Sequence, residues 1–312
     1  MPKKPNSHGN DQEYVPAGNG DASGEYAEED GSNYHFSNFS SSNNKLGEDI
    51  EYIKSENSGD DTNKSDVTLV EQNISKMFGK QAIVAFGGVF NSAELKQIEN
   101  ATKQLNKDFQ NLKYFIEGVG DAKELNNLLG QKRFKEDEKY TLAYYSPSKR
   151  AIVFTDTMKH RTQEAVQQEY DSNFKASNTK AGTYCHEMGH AVWSLFGFEC
   201  SYSNKSNANE IYNDLQNTIK SLYNKNLKDI SQQKIEFYEK YGRRYNNKSV
   251  FDREYLRDLM PDKKMYNVSE YGAKDIEEFV AECFSAHYTG MNNELANQCV
   301  NAYKTAFKAI GR

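Results

Sequence analysis

The stretch CHEMGHAVWSLFG, residues 185 to 197, holds the residue types best able to do chemistry in this chain. His186 and His190 stand four apart in an apolar run of helical character, with Glu187 beside the first. On a helix, positions four apart lie one turn above each other on one face, so both imidazoles can converge on one ion. Glu187 sits about 100° round the helix from His186, beside the ligand pair. There a carboxylate can take the proton of a water held by that ion. The expected chemistry is hydrolysis by a metal-activated water, with zinc as cofactor. Two buried histidines lacking partners are costly in so apolar a helix, which favours ligation over simple packing.

A tetrahedral catalytic zinc takes three protein ligands and keeps one position open. Two segments offer the third. In SEYGAKDIEEFVAECFSAHYTG (269 to 290), Glu278 and Glu282 are four apart on a helix capped around Lys274 and Asp275, and Tyr271 precedes Glu278 by seven. In NANEIYND, nineteen residues separate Glu210 from His190, with Asp214 four further on. Phe279, Val280, Ala281 and Phe284 interrupt the acidic positions of the first segment, so part of that helix is buried.

The first segment, taken with His186-Glu187-Met188-Gly189-His190, resembles the gluzincin metallopeptidases of the anthrax lethal factor and Pro-Pro endopeptidase group. Their pattern is a glycine-containing HExGH helix and a later tyrosine before E-F-x-A-E-x-F. Here Tyr271 precedes Glu278-Phe279-Val280-Ala281-Glu282-Cys283-Phe284. The resemblance implies that Glu278 is the third zinc ligand, Glu282 a carboxylate orienting a ligand histidine, and Tyr271 an oxyanion-side hydroxyl. It also implies Glu187 as general base for peptide-bond hydrolysis, at a site of net charge +1. The strand edging the cleft in such folds can pair with an extended peptide, and RAIVFTDTM (150 to 158) is placed to do so. One departure is the 87 residues between His190 and Glu278, more than expected for that group. The second segment, Asn209-Glu210 with Asp214, resembles the N-E-x-x-x-D segment of thermolysin-like enzymes. Those helices usually carry Thr where Gly189 stands, so Glu278 is preferred and Glu210 is the alternative.

The elements positioning these residues are an α+β arrangement, expected to be one zincin-like domain over 76 to 312. Asn91 and Glu94 have the spacing of a capping box at the head of a long amphipathic helix. KYFIEGV (113 to 119) reads as a strand, and DAKELNNLL as a short helix ended by Gly130. YTLAYYSPSKRAIVFTDTM (140 to 158) reads as a hairpin around Ser146-Pro147-Ser148-Lys149. The expectation is a small twisted sheet with this hairpin at its edge, packed on the catalytic helix. Helical patterns follow at about 178 to 196, 208 to 225, 229 to 241, 274 to 288 and 292 to 309. The charged stretch from about 200 to 265 reads as a helical insert, an added cap or partner surface. His160 and His287 read as structural or surface residues. Cys185, Cys200, Cys283 and Cys299 have no CxxC spacing and read as buried thiols.

Residues 1 to 75 are rich in Gly, Ser, Asn, Asp and Glu and read as a disordered tail. The first sixty-six hold 14 Asp and Glu against 5 Lys; the remainder holds 34 Lys and Arg against 31 Asp and Glu. A folded part so near neutrality argues against nucleic-acid binding, which needs a concentrated basic face. No apolar run is long enough to span a bilayer, and no apolar region follows the early lysines as in a signal peptide. The expectation is a soluble protein, cytoplasmic or virion-associated, with export by another route open. The tail resembles glycine-rich leader segments of tailed-phage structural proteins. That resemblance implies a second class of function: a virion component keeping a zincin fold for assembly or delivery, with a virion or host-protein partner met through the tail. A toxin-like secreted protease is a third option.

Overall fold

The computed structural model describes residues 61–79, 82–136, 141–226 and 266–312. The expected tail over 1–60 and the helix at 229–241 lie outside the described residues. Where the tail was expected to reach 75, Asp61–Met77 instead forms α1. Val70 and Ile74 on it, and Phe78 just after, are buried in the core. Their spacing of four places them on one helix face, which burial stabilises despite polar composition around them.

Next come β1 (Ile83–Ala85), α2 (Ser92–Asp108), α3 (Leu112–Phe115), β2 (Gly118–Asp121) and α4 (Ala122–Leu128). The capping box of α2 is present: Asn91 Oδ1 accepts from the Glu94 amide at 2.9 Å and Glu94 Oε2 accepts from the Asn91 amide at 2.8 Å. The strand expected at 113 to 119 is displaced, because Leu112 and Phe115 close a helical turn against the core and extended pairing begins only at Gly118. Asp121 then caps α4 through the amides of Lys123 and Glu124, and Gly130, at φ 62°, follows its end.

The expected hairpin forms from β3 (Ala143–Ser146), a 3-10 turn (Pro147–Lys149) and β4 (Ala151–Phe154). The four strands are ordered β1-β2-β4-β3, parallel except for the β3–β4 pair. So β4, the strand within RAIVFTDTM, is internal, bonded on one side to β2 and on the other to β3. It cannot pair with a peptide, and the edge beside it is β3. The short helices α5 (Asp156–Lys159) and α6 (Gln163–Asp171) lead to the histidine helix α7 (Ala181–Ser201).

Helix α7 is apolar on most sides, and the fold encloses it. Tyr184, Cys185, Met188, Ala191, Val192, Leu195 and Phe196 are all buried. The Tyr184 hydroxyl meets Thr102 Oγ1 of α2 at 2.7 Å. Helices α8 (Ala208–Asn226), α9 (Ile276–Tyr288) and α10 (Glu294–Ala309) pack around it with a short 3-10 turn, Tyr271–Ala273. Stacked and edge-on contacts among Phe109, Phe196, Phe284, Tyr303 and Phe307 join α2, α7, α9 and α10. The result is a mixed α+β fold, mostly helical, with a small four-stranded sheet. All four cysteines are buried and none is bridged. Among the described residues no helix is long and apolar enough to cross a membrane.

Candidate metal centre

His186 and His190 lie on adjacent turns of α7 with ring centroids 5.0 Å apart. The acidic partner comes from α9, whose first turn is capped by Asp275, its Oδ1 accepting from the Glu278 amide at 2.8 Å. That cap places Glu278 one turn into the helix, facing α7. Helices normally pack with axes 8–10 Å apart. Here glycine shortens the approach: a Cβ on Gly189 would stand 2.7 Å from Ala281 Cα, and one on Gly182 would stand 3.0 Å from Ser285 Oγ. The Ser285 hydroxyl donates to the Gly182 carbonyl at 2.9 Å and ties the two helices at that level.

One ligand atom from each of His186, His190 and Glu278 lies within 4.8 Å of the others. Glu278 Oε2 is 3.0 Å from His186 Nε2 and 3.6 Å from His190 Nε2. Ligand atoms of a tetrahedral zinc stand about 3.4 Å apart, so these separations bracket the required value. The same oxygen is buried and has no partner at hydrogen-bonding geometry. Donor atoms that face a common point without sharing a proton in line are arranged as the ligands of a cation. These residues therefore fit a metal ion, and the imidazole and carboxylate donors suit zinc.

Behind His186, Glu282 is 1% exposed. Its Oε1 accepts from His186 Nδ1 at 2.9 Å and its Oε2 from the Ala176 amide at 2.7 Å, with Lys175 Nζ 3.5 Å away. A proton held on Nδ1 by this carboxylate leaves Nε2 free to ligate. Burial works to raise the Glu282 pKa, but the Lys175 charge and His186 outweigh it and hold the carboxyl down at about 2. For His186, burial favours the neutral ring, yet the carboxylates of Glu278 and Glu282 prevail and raise it to about 9 in the metal-free protein. Glu278 is likewise buried, and the two imidazoles hold its carboxyl far below the ordinary range.

Glu187 is 5% exposed and makes no hydrogen bond or ion pair with another described residue. Tyr271 stands beside His186, ring centroids 5.7 Å apart. Burial, then the charges of Glu278, Glu187 and Glu282, push its phenol far above the usual value, so the hydroxyl keeps its proton and can donate it. The ammonium of Lys175 sits 3.1 Å from the centre of the Tyr271 ring.

Thus the structure brings His186, His190 and Glu278 together and places Glu282, Glu187 and Tyr271 around them. It does not bring in Glu210, which is exposed in the first turn of α8 and outside the group. A solvated position there satisfies the carboxylate without a metal, so the alternative ligand is set aside. His287 is held by Asn297 Oδ1 at 2.6 Å, a structural role as expected. Lys175 and the Ala176 amide, which support Glu282 from more than a hundred residues away, carry no local signature in the sequence. Gly189 does carry one, since a glycine inside a helix often has a packing reason.

The long separation of His190 from Glu278 also has a local explanation. The described residues on either side of 227–265 are stapled: Asn226 Oδ1 accepts from the Val268 amide at 2.8 Å and Asn267 Nδ2 donates to the Lys225 carbonyl at 2.6 Å. A segment whose ends are joined in this way can be long without displacing Glu278. Comparison with known protein families, with curated proteins and with solved structures returned no match.

Proposed function

We propose that this chain is a zinc-dependent metallopeptidase of zincin-like fold, resembling the gluzincins of the lethal factor and Pro-Pro endopeptidase group. The observation carrying this reading is the convergence of His186, His190 and Glu278 with Glu282 holding the far nitrogen of His186. When bound, zinc polarises a scissile carbonyl and lowers the pKa of water toward about 7. The chain's own residues supply the rest. Glu187 is buried beside His186 with no other described partner, so its carboxylate accepts the proton of the attacking water and passes it to the leaving amine. The Tyr271 hydroxyl donates to the oxygen that gains charge as the carbonyl is attacked. Glu282 keeps His186 in the tautomer that ligates.

A place for the peptide follows from β3. The Thr155 amide donates to the Leu142 carbonyl at 3.1 Å, so in this antiparallel pair the even-numbered residues of β3 bond β4. Ala143 and Tyr145 therefore turn their main-chain groups to the open edge, and β3 packs on α7. An extended peptide adding there is drawn across the histidine helix.

The test combines metal analysis of purified protein with cleavage of a broad peptide library by wild type and Glu187→Gln. The expected result is stoichiometric zinc in both and about 10²- to 10⁴-fold less cleavage in the variant. A wild type that holds zinc and cuts nothing, or a variant that cuts equally well, returns the chain to the virion-component reading, which is indifferent to Glu187.

A further inference from the structure

Tyr271 is held by neither a long helix nor a strand. It opens a three-residue 3-10 turn after an irregular stretch, 266–270, yet oxyanion stabilisation needs its hydroxyl placed to a fraction of an ångström. Much of what fixes it comes from another loop, the one that begins at Asn173. Asn173, just after α6, is one of two non-glycine residues with positive φ among the described residues, at 61°. Asparagine often ends helices in this conformation. A helix terminator needs only the left-handed backbone, however, and its side chain is ordinarily in solvent. Asn173 is 6% exposed, and both polar atoms of its side chain are bonded. Its Oδ1 accepts from the Tyr266 amide at 3.0 Å and its Nδ2 donates to the Val268 carbonyl at 3.1 Å.

The backbone continues the seam. The Glu270 amide donates to the Asn173 carbonyl at 2.8 Å, and the Tyr271 amide donates to the Phe174 carbonyl at 3.0 Å. The Phe174 ring then meets the Tyr271 ring edge-on at 5.6 Å, and Lys175 covers its face. Asn226 takes groups of the same stretch that Asn173 leaves, the Val268 amide and, at 3.3 Å, the Ser269 carbonyl. One residue later than Lys175, the Ala176 amide bonds Glu282. The loop starting at Asn173 thus registers Tyr271 and the carboxylate behind His186 on one rigid piece.

We propose that Asn173 is a positioning residue for Tyr271, setting the tyrosine hydroxyl against the His186 and Glu278 pair. Among the amino acids, asparagine combines tolerance of the left-handed backbone with one donor and one acceptor on the same short side chain. Glycine supplies only the backbone. Aspartate supplies the backbone and the acceptor, and sets a carboxylate oxygen against the Val268 carbonyl. The inference deepens the peptidase reading and rests on it for the role of Tyr271, though not for its placement.

The test uses the full-length chain carrying a single fluorine label on the Tyr271 ring, with Asn173→Gly and Asn173→Asp. Both variants are expected to shift or broaden the fluorine resonance while zinc stays stoichiometric. Asn173→Asp serves if Asn173→Gly does not fold. In cleavage, kcat should fall about 10- to 100-fold with KM little changed, the scale of a small misplacement of a catalytic group. In a Tyr271→Phe background, Asn173→Gly should then add no more than about 2-fold, because the residue acts through the hydroxyl already removed. An unmoved resonance in both variants, or a full further loss in the Tyr271→Phe background, overturns the proposal. A wild type that cuts nothing while its label responds to Asn173 removes the peptidase reading and leaves the positioning standing. A cutting wild type with an unmoved label does the reverse.

Discussion

Helices α8 and α9 both open with acidic turns, Glu210 in one and Glu277 with Glu278 in the other, and they meet the histidine helix in different ways. Helix α8 touches α7 through aromatic side chains, with Phe196 stacked on Tyr212 at 6.1 Å. Ring-to-ring packing keeps its backbone at a distance, and Glu210 and Asp214 stay exposed. Helix α9 lies against α7 at Gly189, where a Cβ would stand 2.7 Å from the Ala281 Cα. Here the glutamate that reaches the ligand position is the one on the helix whose backbone comes closest to α7. Acidity near a helix start is therefore a poor guide to ligation, and small residues on the facing helix are a better one.

The sharpest contrast is direct. Glu278→Ala should abolish stoichiometric zinc, whereas Glu210→Ala should leave it intact, as metal analysis after dialysis against trace zinc will show. The opposite pattern would hand the ligand to α8 and undo the comparison.

The two helices should also differ in what they contribute to stability without metal. A group that binds its proton more tightly when folded stabilises the folded state fully below its unfolded pKa and loses that contribution as pH rises through the folded one. For His186 these values are 6.5 and about 9. Metal-free protein should therefore lose stability on the order of 3 kcal/mol between those pH values. Glu278→Ala should flatten that dependence and Glu210→Ala should not. Denaturant midpoints at pH 6, 8 and 10 decide it, and a metal-free midpoint that rises across this range contradicts the assignment.

Glu282→Gln keeps the shape of the side chain behind His186 but loses its charge. Zinc affinity should drop about 10- to 100-fold in a competition with a chelator, and an unchanged affinity would mean that α9 supports the site through Glu278 alone. Gly189→Ala has the smallest expected effect. The added methyl meets Ala281 Cα at 2.7 Å, so the helices must part. A net destabilisation of about 1–2 kcal/mol should remain after the better helix propensity of alanine is counted. A thermal midpoint at or above wild type would show that close approach is not what brings α9 in.

Much of the site is visible in the one-dimensional pattern because its rules are local. Four-residue spacing alone puts His186 and His190 on one face, and the same spacing puts Glu278 and Glu282 on another helix. The capping box at Asn91 and Glu94, the hairpin around Pro147 and the stop at Gly130 are likewise matters of a few neighbouring residues, and each is found where its residue types place it. The tertiary structure decided whatever depends on distant chain segments meeting. Helix α1 reads as solvated sequence until Val70 and Ile74 find a core. The strand β2 starts at Gly118 rather than Lys113 because its register is set by β1 and β4 on either side. The choice between Glu210 and Glu278 follows from which helix can approach Gly189, and the place of Tyr271 from Asn173 and Asn226, nearly a hundred and some forty residues away. Helix periodicity, caps and turns act through bonds spanning three or four residues, which composition and spacing record. Close packing and amide pairing across a fold depend on shape in three dimensions, and the order of residues along the chain does not encode that shape locally.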